Sequence, residues 1–283
     1  MTRFAASQGF MGPFSHNGMA SIAPTPPWHY AADFITVECW AEPSSIEALL
    51  PPGLSLHPDE PGLMTVSFVD WQACTDAGGE LLDPIRAQYR ECIVLASVQY
   101  EGKLMQYCPY IVVDQDTSLA RGWALGYPKK IGSVWVTRSM GVPSIASPKL
   151  EAGATFAGTV AVKDRRVAEG HVRLSGLADS SAVTFGSRPI VALRHFPSMF
   201  EGQHDQPAVF ELVRLRAENV QASPVWAGDA ALTVFDSPTE PMAALRPVRL
   251  GRGWRYSIAM SNRNNHLLRD LRTTSNAVAS EEK

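Results

Sequence analysis

Residues 120–132 read ARGWALGYPKKIG, and the predicted fold and function of the chain depend mainly on this segment. Lys129 and Lys130 follow a Gly-Tyr-Pro turn, with an apolar stretch at 123–125 before it and a strand-like run at 134–136 after it. Two ammonium groups in apolar surroundings are costly unless one of them loses its proton. A neutral lysine is a nucleophile that forms an imine with a ketone or aldehyde. The pair therefore predicts a reactive amine between a helix and a strand.

Strand-like runs lie on both sides of this segment. Residues 90–113, RECIVLASVQYEGKLMQYCPYIVV, predict two strands joined by a turn at 101–103. Residues 117–126 predict a brief helix that ends at Gly126. Upstream, strands are expected from Asp33 to residue 40 and at 64–71, with a short helix at 44–50 that starts in a capping box formed by Ser44 and Glu47. Downstream strands are predicted at 133–140, 154–164, 166–176, 210–221, 230–236 and 253–260.

The fold class follows from this pattern. Helical periodicity is scarce and strands recur at short intervals, which favours a mainly β chain with a few short helices, arranged as an antiparallel barrel or a sandwich. We divide the chain into an N-terminal arm (1–27), one domain (28–268) and a polar C-terminal tail (269–283), of which 273–283 are expected to fray.

Composition excludes several classes of protein. The net charge is -3 and the basic residues are dispersed, so a nucleic-acid partner is not expected. We find no apolar run that would span a bilayer and no signal peptide, and we expect no membrane partner and a cytoplasmic location. The four cysteines and seven histidines match no metal-ligand spacing, and no nucleotide-binding motif occurs. We therefore predict reduced cysteines, no metal and no cofactor.

The segment around the lysine pair resembles the active-site strip of acetoacetate decarboxylases, where a short helix with an Arg precedes aromatic-Pro-Lys-Lys-Leu/Ile-Gly. Other matches follow in the family's order from residue 33 to 265: Tyr89-Arg90-Glu91, Tyr100-Glu101-Gly102, Tyr107, Asp114, Arg188-Pro189, Leu193, Pro197 and the run 210–236. The resemblance implies a large curved antiparallel β-barrel over residues 28–268 that assembles into a homo-oligomer.

The resemblance also implies the catalytic roles. Lys129 matches the lysine that forms the Schiff base, Lys130 matches the neighbour that lowers its pKa, and Glu91 matches a carboxylate beside it. An imine forms only from the neutral amine, and an unperturbed lysine with a pKa of about 10.4 is almost fully protonated at pH 7. Burial and an adjacent cation both disfavour the ammonium form. A proton donor and acceptor is needed near the substrate α-carbon, and Glu91 is our candidate.

Three further residues are candidates for binding the substrate. Arg121 is expected to hold a substrate carboxylate through a bidentate contact. Tyr107 and Tyr127 are expected to donate hydrogen bonds in the pocket, although packing alone explains buried tyrosines too.

The chain departs from the family pattern at two places. Family decarboxylases carry an Arg just before the first strand, and the segment 26–34, PPWHYAADF, has none. They carry a Glu in the second strand, where this chain has Ser67. The lysine chemistry is intact, but both residues bear on which bond is broken or made after the imine forms.

Three functions therefore remain open. The first is a cofactor-independent lyase that decarboxylates an acetoacetate-like β-keto acid through an imine on Lys129. The second is a Schiff-base aldolase-dehydratase that condenses pyruvate with an aldehyde, as some members of the superfamily do. The third is a non-catalytic barrel that binds a hydrophobic ligand, and the presence of Lys129, Lys130 and Glu91 argues against it.

Overall fold

The computed structural model describes residues 7–183, 185 and 188–272. Within them the chain is mostly β, and one sheet contains fifteen strands. The elements of the first half are β1 (Trp28–Trp40), α1 (Pro43–Glu47), β2 (Ser55–Leu56), β3 (Leu63–Thr75), α2 (Pro84–Ala87), β4 (Gln88–Tyr100), β5 (Lys103–Val113) and α3 (Asp116–Leu125).

The second half begins at the lysine pair. Its strands are β6 (Lys129–Ile131), β7 (Ser133–Val136), β8 (Thr155–Val162), β9 (Arg165–Ala178), β10 (Ile190–Phe196), β11 (Val209–Leu215), β12 (Glu218–Ala222), β13 (Val225–Val234), β14 (Arg249–Asn262) and β15 (Asn265–Asp270). Short 3-10 helices lie at Gly79–Leu82, Ser180–Ala182 and Pro241–Leu245.

The predicted hairpin and the helix before the lysines are confirmed. Strands β4 and β5 pair antiparallel, and their turn places Glu101 (φ 47°) and Gly102 (φ 76°) in the left-handed region, as a type I′ turn requires. Helix α3 ends at Gly126, whose φ is 100° and whose amide donates to the carbonyls of Gly122 and Trp123. These local turns bring residues 129–131 back to β5, where they pair as β6.

Some local predictions were wrong. Strand β1 begins at Trp28 and not at Asp33, because residues 28–32 already pair with β3 and β14. The capping box does not form: α1 starts at Pro43, which places Ser44 inside the helix. The run 210–221 divides into β11 and β12, and the sequence patterns did not predict β6, β10 or β15.

The predicted antiparallel barrel is not confirmed. In the described part of the chain the strand order is β15-β11-β10-β5-β4-β3-β1-β14-β13-β9-β8-β7, so β15 and β7 are edges and the sheet does not close. The sheet is also mixed, since β5 pairs in parallel with both β6 and β10. Strand β7 pairs with β8, and among the described strands it has no pairing with β5 or β6.

The sheet nevertheless curls strongly upon itself. Strands β8 and β9 lie across from β3 so closely that the Phe68 ring rests against Gly158 and Gly170. A Cβ on Gly158 would lie 2.1 Å from Phe68 Cγ. The two halves of the curled sheet thus pack together where Gly158 leaves room for the ring of Phe68.

We expect Gly158→Ala to destabilise the fold by about 1–3 kcal/mol, because the added methyl must displace the buried ring of Phe68. Urea unfolding of the variant measures this loss. Gly176→Ala in β9 is the matched control, since a Cβ there meets no atom within 4 Å. Equal stability of the two variants would contradict the packing described.

Both faces of the central strands are buried. On β3, Val66 and Phe68 belong to a first apolar cluster between the curled halves of the sheet. Val69 and Trp71 point the other way, into a second cluster with Ile93, beneath α3. This alternation explains the nearly continuous apolar sequence of β3 and β4, and the second cluster contains the candidate site.

The ends of the chain pack against this body where they are described. The ring of Phe10 lies edge-on to Trp28, with centroids 6.0 Å apart. Strand β15 runs to Asp270, past residue 268, and residues 273–283 lie outside the described part. The division into arm, domain and tail stays a prediction. Among the described helices, none is long and apolar enough to cross a membrane.

Candidate active site

A cavity of ≈ 290 Å³ opens in the second cluster between α3 and the sheet. Strand β4 contributes Glu91 and Ile93, and β6 contributes Lys129. The C-terminal ends of β11 and β14 form another part of the wall. Aromatic and aliphatic side chains alternate with a few polar groups, which is the usual make-up of a small-molecule site.

Lys129 is the centre of the polar groups. Its side chain is 7% exposed, and its Nζ donates to Glu91 Oε2 at 2.7 Å and to Ser118 Oγ at 2.9 Å. The side chain lies against Gly122 of α3, where a Cβ would be 2.3 Å from Lys129 Cδ. The indole of Trp123 donates to the Lys129 carbonyl at 2.9 Å, which fixes β6 against the helix.

Burial is the main influence on the Lys129 amine. It lowers the pKa of Lys129 because the ammonium form is poorly solvated there. The charge and hydrogen bond of Glu91 oppose this shift, and the nearby Arg121 guanidinium adds to it. The net direction is downward, so the neutral, nucleophilic amine is more accessible than in an ordinary lysine.

Arg121 is a second buried cation in the same cavity. It is 4% exposed, and its guanidinium carbon lies 5.4 Å from the ring centre of Tyr30 and 5.7 Å from that of Tyr89. Within the described residues no carboxylate pairs with it. Buried charges are normally paired, so this guanidinium is placed to bind an anion.

Tyrosine hydroxyl groups surround the two cations. Burial raises the pKa of Tyr30, Tyr89 and Tyr127, and the charge of Glu91 adds to the rise for each of them. All three therefore stay protonated and able to donate hydrogen bonds. The Lys129 amine lies 5.3 Å from the Tyr89 ring centre and 5.8 Å from that of Tyr127.

The sequence matches the acetoacetate decarboxylase (ADC) family over residues 12–271. The chain belongs to this family. A comparison with curated proteins found no match.

Solved structures of similar fold include members of the ADC family and relatives. The enduracididine biosynthesis enzyme MppR, complexed with the condensation product of pyruvate and imidazole 4-carboxaldehyde, is 32% identical, with a TM-score of 0.86 over 94% of this chain and 98% of that chain. Its pyruvate complex is 31% identical, with a TM-score of 0.85 over 93% and 98%. An ADC-like enzyme from Sphingomonas wittichii RW1 is 24% identical, with a TM-score of 0.85 over 93% and 100%, and shows the shared fold.

Four of the residues expected from the resemblance to the ADC family meet in the cavity: Lys129, Glu91, Arg121 and Tyr127. Tyr107 does not. It lies in the first cluster, because an irregularity between Val94 and Ala96 changes which side chains of β5 face the cavity. The structure therefore places Tyr107 outside the cavity, and its role in binding substrate stays a prediction.

Lys130 is also outside the cavity. It aligns with Val112 of β5, its side chain points away from Lys129, and it pairs with the buried Glu240 at 2.5 Å. Side chains alternate along a strand, so adjacent lysines on β6 are on opposite faces. We propose that Arg121, rather than the Lys130 that the ADC resemblance implies, is the cation that lowers the pKa of Lys129.

Sequence reasoning missed several cavity residues. Ser118 precedes Arg121 by three positions and Gly122 by four, and this helical spacing on one face was a usable signal. Tyr30 lies close to the position of the missing family Arg. Ser67, which replaces the family Glu, is buried and bonded to Thr36 Oγ1 at 2.8 Å. In the described part of the chain, no group of three His, Cys, Asp or Glu residues is arranged to hold a metal ion.

Proposed function

We propose that this member of the ADC family is a cofactor-independent lyase that forms a Schiff base between Lys129 and a small keto acid. The observation that carries the proposal is the buried Lys129 amine, whose pKa is lowered and which contacts Glu91 inside a cavity. Expulsion of water at such a site favours imine formation, and an adjacent carboxylate moves the proton that the chemistry requires.

Arg121 supports a keto acid over a simple ketone. Its guanidinium reaches the same cavity as Lys129, and a substrate carboxylate would supply the anion that the described residues do not. A bidentate contact would then orient the adjacent carbonyl toward Lys129.

The same arginine favours condensation of pyruvate with an aldehyde over decarboxylation. Loss of CO2 turns a carboxylate into a neutral molecule, so a cation bound to that carboxylate stabilises the ground state more than the transition state. In the condensation the carboxylate keeps its charge throughout. MppR, which is 32% identical, is known in complex with a condensation product of pyruvate, and this supports the same choice.

The proposed reaction balances with these residues alone. Lys129 attacks the ketone of pyruvate, and water leaves as the imine forms. Glu91 removes a methyl proton to give an enamine, whose carbon attacks the aldehyde while the aldehyde oxygen takes up a proton. The former methyl carbon then loses a second proton and the new hydroxyl group leaves, together as water, which gives the unsaturated imine. Hydrolysis of this imine releases the unsaturated keto acid and the free amine of Lys129.

Glu91→Gln should separate imine formation from carbon chemistry. We expect the variant still to form the pyruvate imine, because Lys129 remains. Exchange of the pyruvate methyl protons with D2O should slow by about 10²–10⁴-fold, because the glutamine side chain cannot act as the base. Proton NMR of pyruvate in D2O measures the exchange. Unchanged exchange would remove Glu91 from the proton transfers.

Decarboxylation of an acetoacetate-like β-keto acid is the second candidate, supported by membership in the ADC family and by the Lys129–Glu91 pair. One experiment separates the candidates. The protein is given acetoacetate alone, or pyruvate with an aldehyde, and both CO2 and the unsaturated product are measured. We expect the unsaturated product from pyruvate and the aldehyde, and no CO2 from acetoacetate. Release of CO2 from acetoacetate alone would favour the decarboxylase. The absence of both CO2 and the unsaturated product would favour a non-catalytic binding protein.

A homo-oligomer and a cytoplasmic location stay predictions.

A further inference from the structure

We propose that the cavity contains a second subsite, for an aldehyde that carries an anionic group, with Arg214 binding the anion and Asn262 accepting a hydrogen bond. This inference rests on the proposed condensation and names the class of its second reactant. The two residues lie near the ends of β11 and β14, whereas Lys129 and Arg121 are on β6 and α3. The second subsite is therefore built from different elements of the same cavity.

The charges that line the cavity do not balance. Its basic residues are Arg121, Lys129, Arg188, Arg214 and Arg216, and its acid is Glu91. Lys129 pairs with Glu91, and Arg216 pairs with Glu218 at 3.1 Å. A keto-acid carboxylate would offset Arg121. Two arginines would then still have no carboxylate partner in the part of the chain that the structure describes: Arg188, whose Nη1 donates to Ser97 Oγ at 3.5 Å, and Arg214.

Two buried polar atoms in the cavity wall also lack partners in the described residues. Asn262 is 8% exposed, and its amide nitrogen donates to the Arg216 carbonyl at 3.2 Å, but its Oδ1 accepts no hydrogen bond. Trp71 is 4% exposed, and its Nε1 has no acceptor. An unsatisfied buried donor or acceptor costs stability, so both atoms indicate a ligand with its own polar groups.

Together these observations define the ligand chemically. It needs an anion for Arg214. The donor for Asn262 is an O–H or N–H group of the ligand or the hydroxyl formed when the aldehyde oxygen takes up a proton, and Trp71 offers a donor to one of the ligand's oxygens. As the acceptor it must also present an aldehyde carbon to the enamine. Carboxylate and phosphate groups both satisfy Arg214, so the shared feature is the negative charge.

The test compares matched pairs of aldehydes with the full-length protein and pyruvate. Glyceraldehyde 3-phosphate is compared with glyceraldehyde, and succinic semialdehyde with butanal, by kcat/KM for formation of the unsaturated product. We expect at least one anionic aldehyde to exceed its neutral partner about tenfold, and Arg214→Gln to remove that preference. Arg166→Gln, at an exposed arginine on β9 paired with Glu169, should keep the preference.

The two pairs of aldehydes, together with a preliminary trapping step, distinguish failure of the second subsite from failure of the proposed function. A preference in the phosphate pair alone or the carboxylate pair alone identifies the anion. Trapping of the pyruvate imine is measured first, and its absence would overturn the proposed function itself. If the imine and the neutral product form but no anionic aldehyde is preferred, or if Arg214→Gln keeps the preference, the second subsite is overturned while the lyase stands.

Discussion

Lys129→Met is expected to abolish condensation and decarboxylation alike, with a loss of rate on the order of 10⁴-fold or more. The variant lacks the only group we assign to bond formation with the keto acid, and methionine has a similar length without a nucleophile. The rate of product formation from pyruvate and an aldehyde measures the effect. Thermal unfolding is recorded alongside, because the variant leaves Glu91 buried without its partner.

Lys130→Met is the matched comparison for this prediction. The two lysines are adjacent in sequence, yet the Lys130 side chain is 48% exposed and pairs with Glu240 on the opposite face of β6. We expect Lys130→Met to keep its activity and the pH midpoint of imine formation. A folded Lys129→Met variant that still reacts, or a folded Lys130→Met variant whose pH midpoint moves, would contradict the assignment.

Arg121→Gln is expected to raise KM for pyruvate about 100-fold, because a buried guanidinium would no longer bind the carboxylate. A second effect concerns pH. Arg121 helps to lower the pKa of Lys129, so its removal raises that pKa. Imine formation needs the neutral amine, and its pH midpoint should therefore move to higher pH. Rates of imine trapping measured over a range of pyruvate concentrations give the loss of affinity, and rates measured across a pH series give the midpoint.

Hydroxyacetone provides the control for the Arg121 prediction, because it has a ketone but no carboxylate. Its trapping should show the same shift in pH midpoint, without the 100-fold loss of affinity. An equal loss of affinity for pyruvate and hydroxyacetone would mean that Arg121 shapes the cavity and does not bind the carboxylate. An unchanged midpoint would mean that its charge does not influence Lys129.

The fold was predictable where the signals are local. The hairpin of β4 and β5 follows from a Glu-Gly turn between apolar runs, and the end of α3 follows from Gly126. Closure of the sheet depends on whether β7 meets β5 and β6, which no local pattern encodes. Strand β6 has three residues, too few for a period to be recognised, although it contains both lysines.

The site was predictable where the family resemblance supplied long-range pairing. Glu91 and Lys129 are 38 positions apart, and only the matched order of motifs suggested that they meet. Tyr107 lies outside the cavity because an irregularity in the β4–β5 pairing changes the face of its side chain. Arg214 and Asn262 carry no local signal at all, since their proximity to the lysine depends on the curl of the sheet.

Reductive trapping tests the central claim most directly. The protein is incubated with pyruvate and then reduced with borohydride, and mass spectrometry of proteolytic fragments locates the added mass. We predict one stable adduct, on Lys129, within the segment 120–132. An adduct on Lys130 or elsewhere, or no adduct with either pyruvate or acetoacetate, would contradict the account.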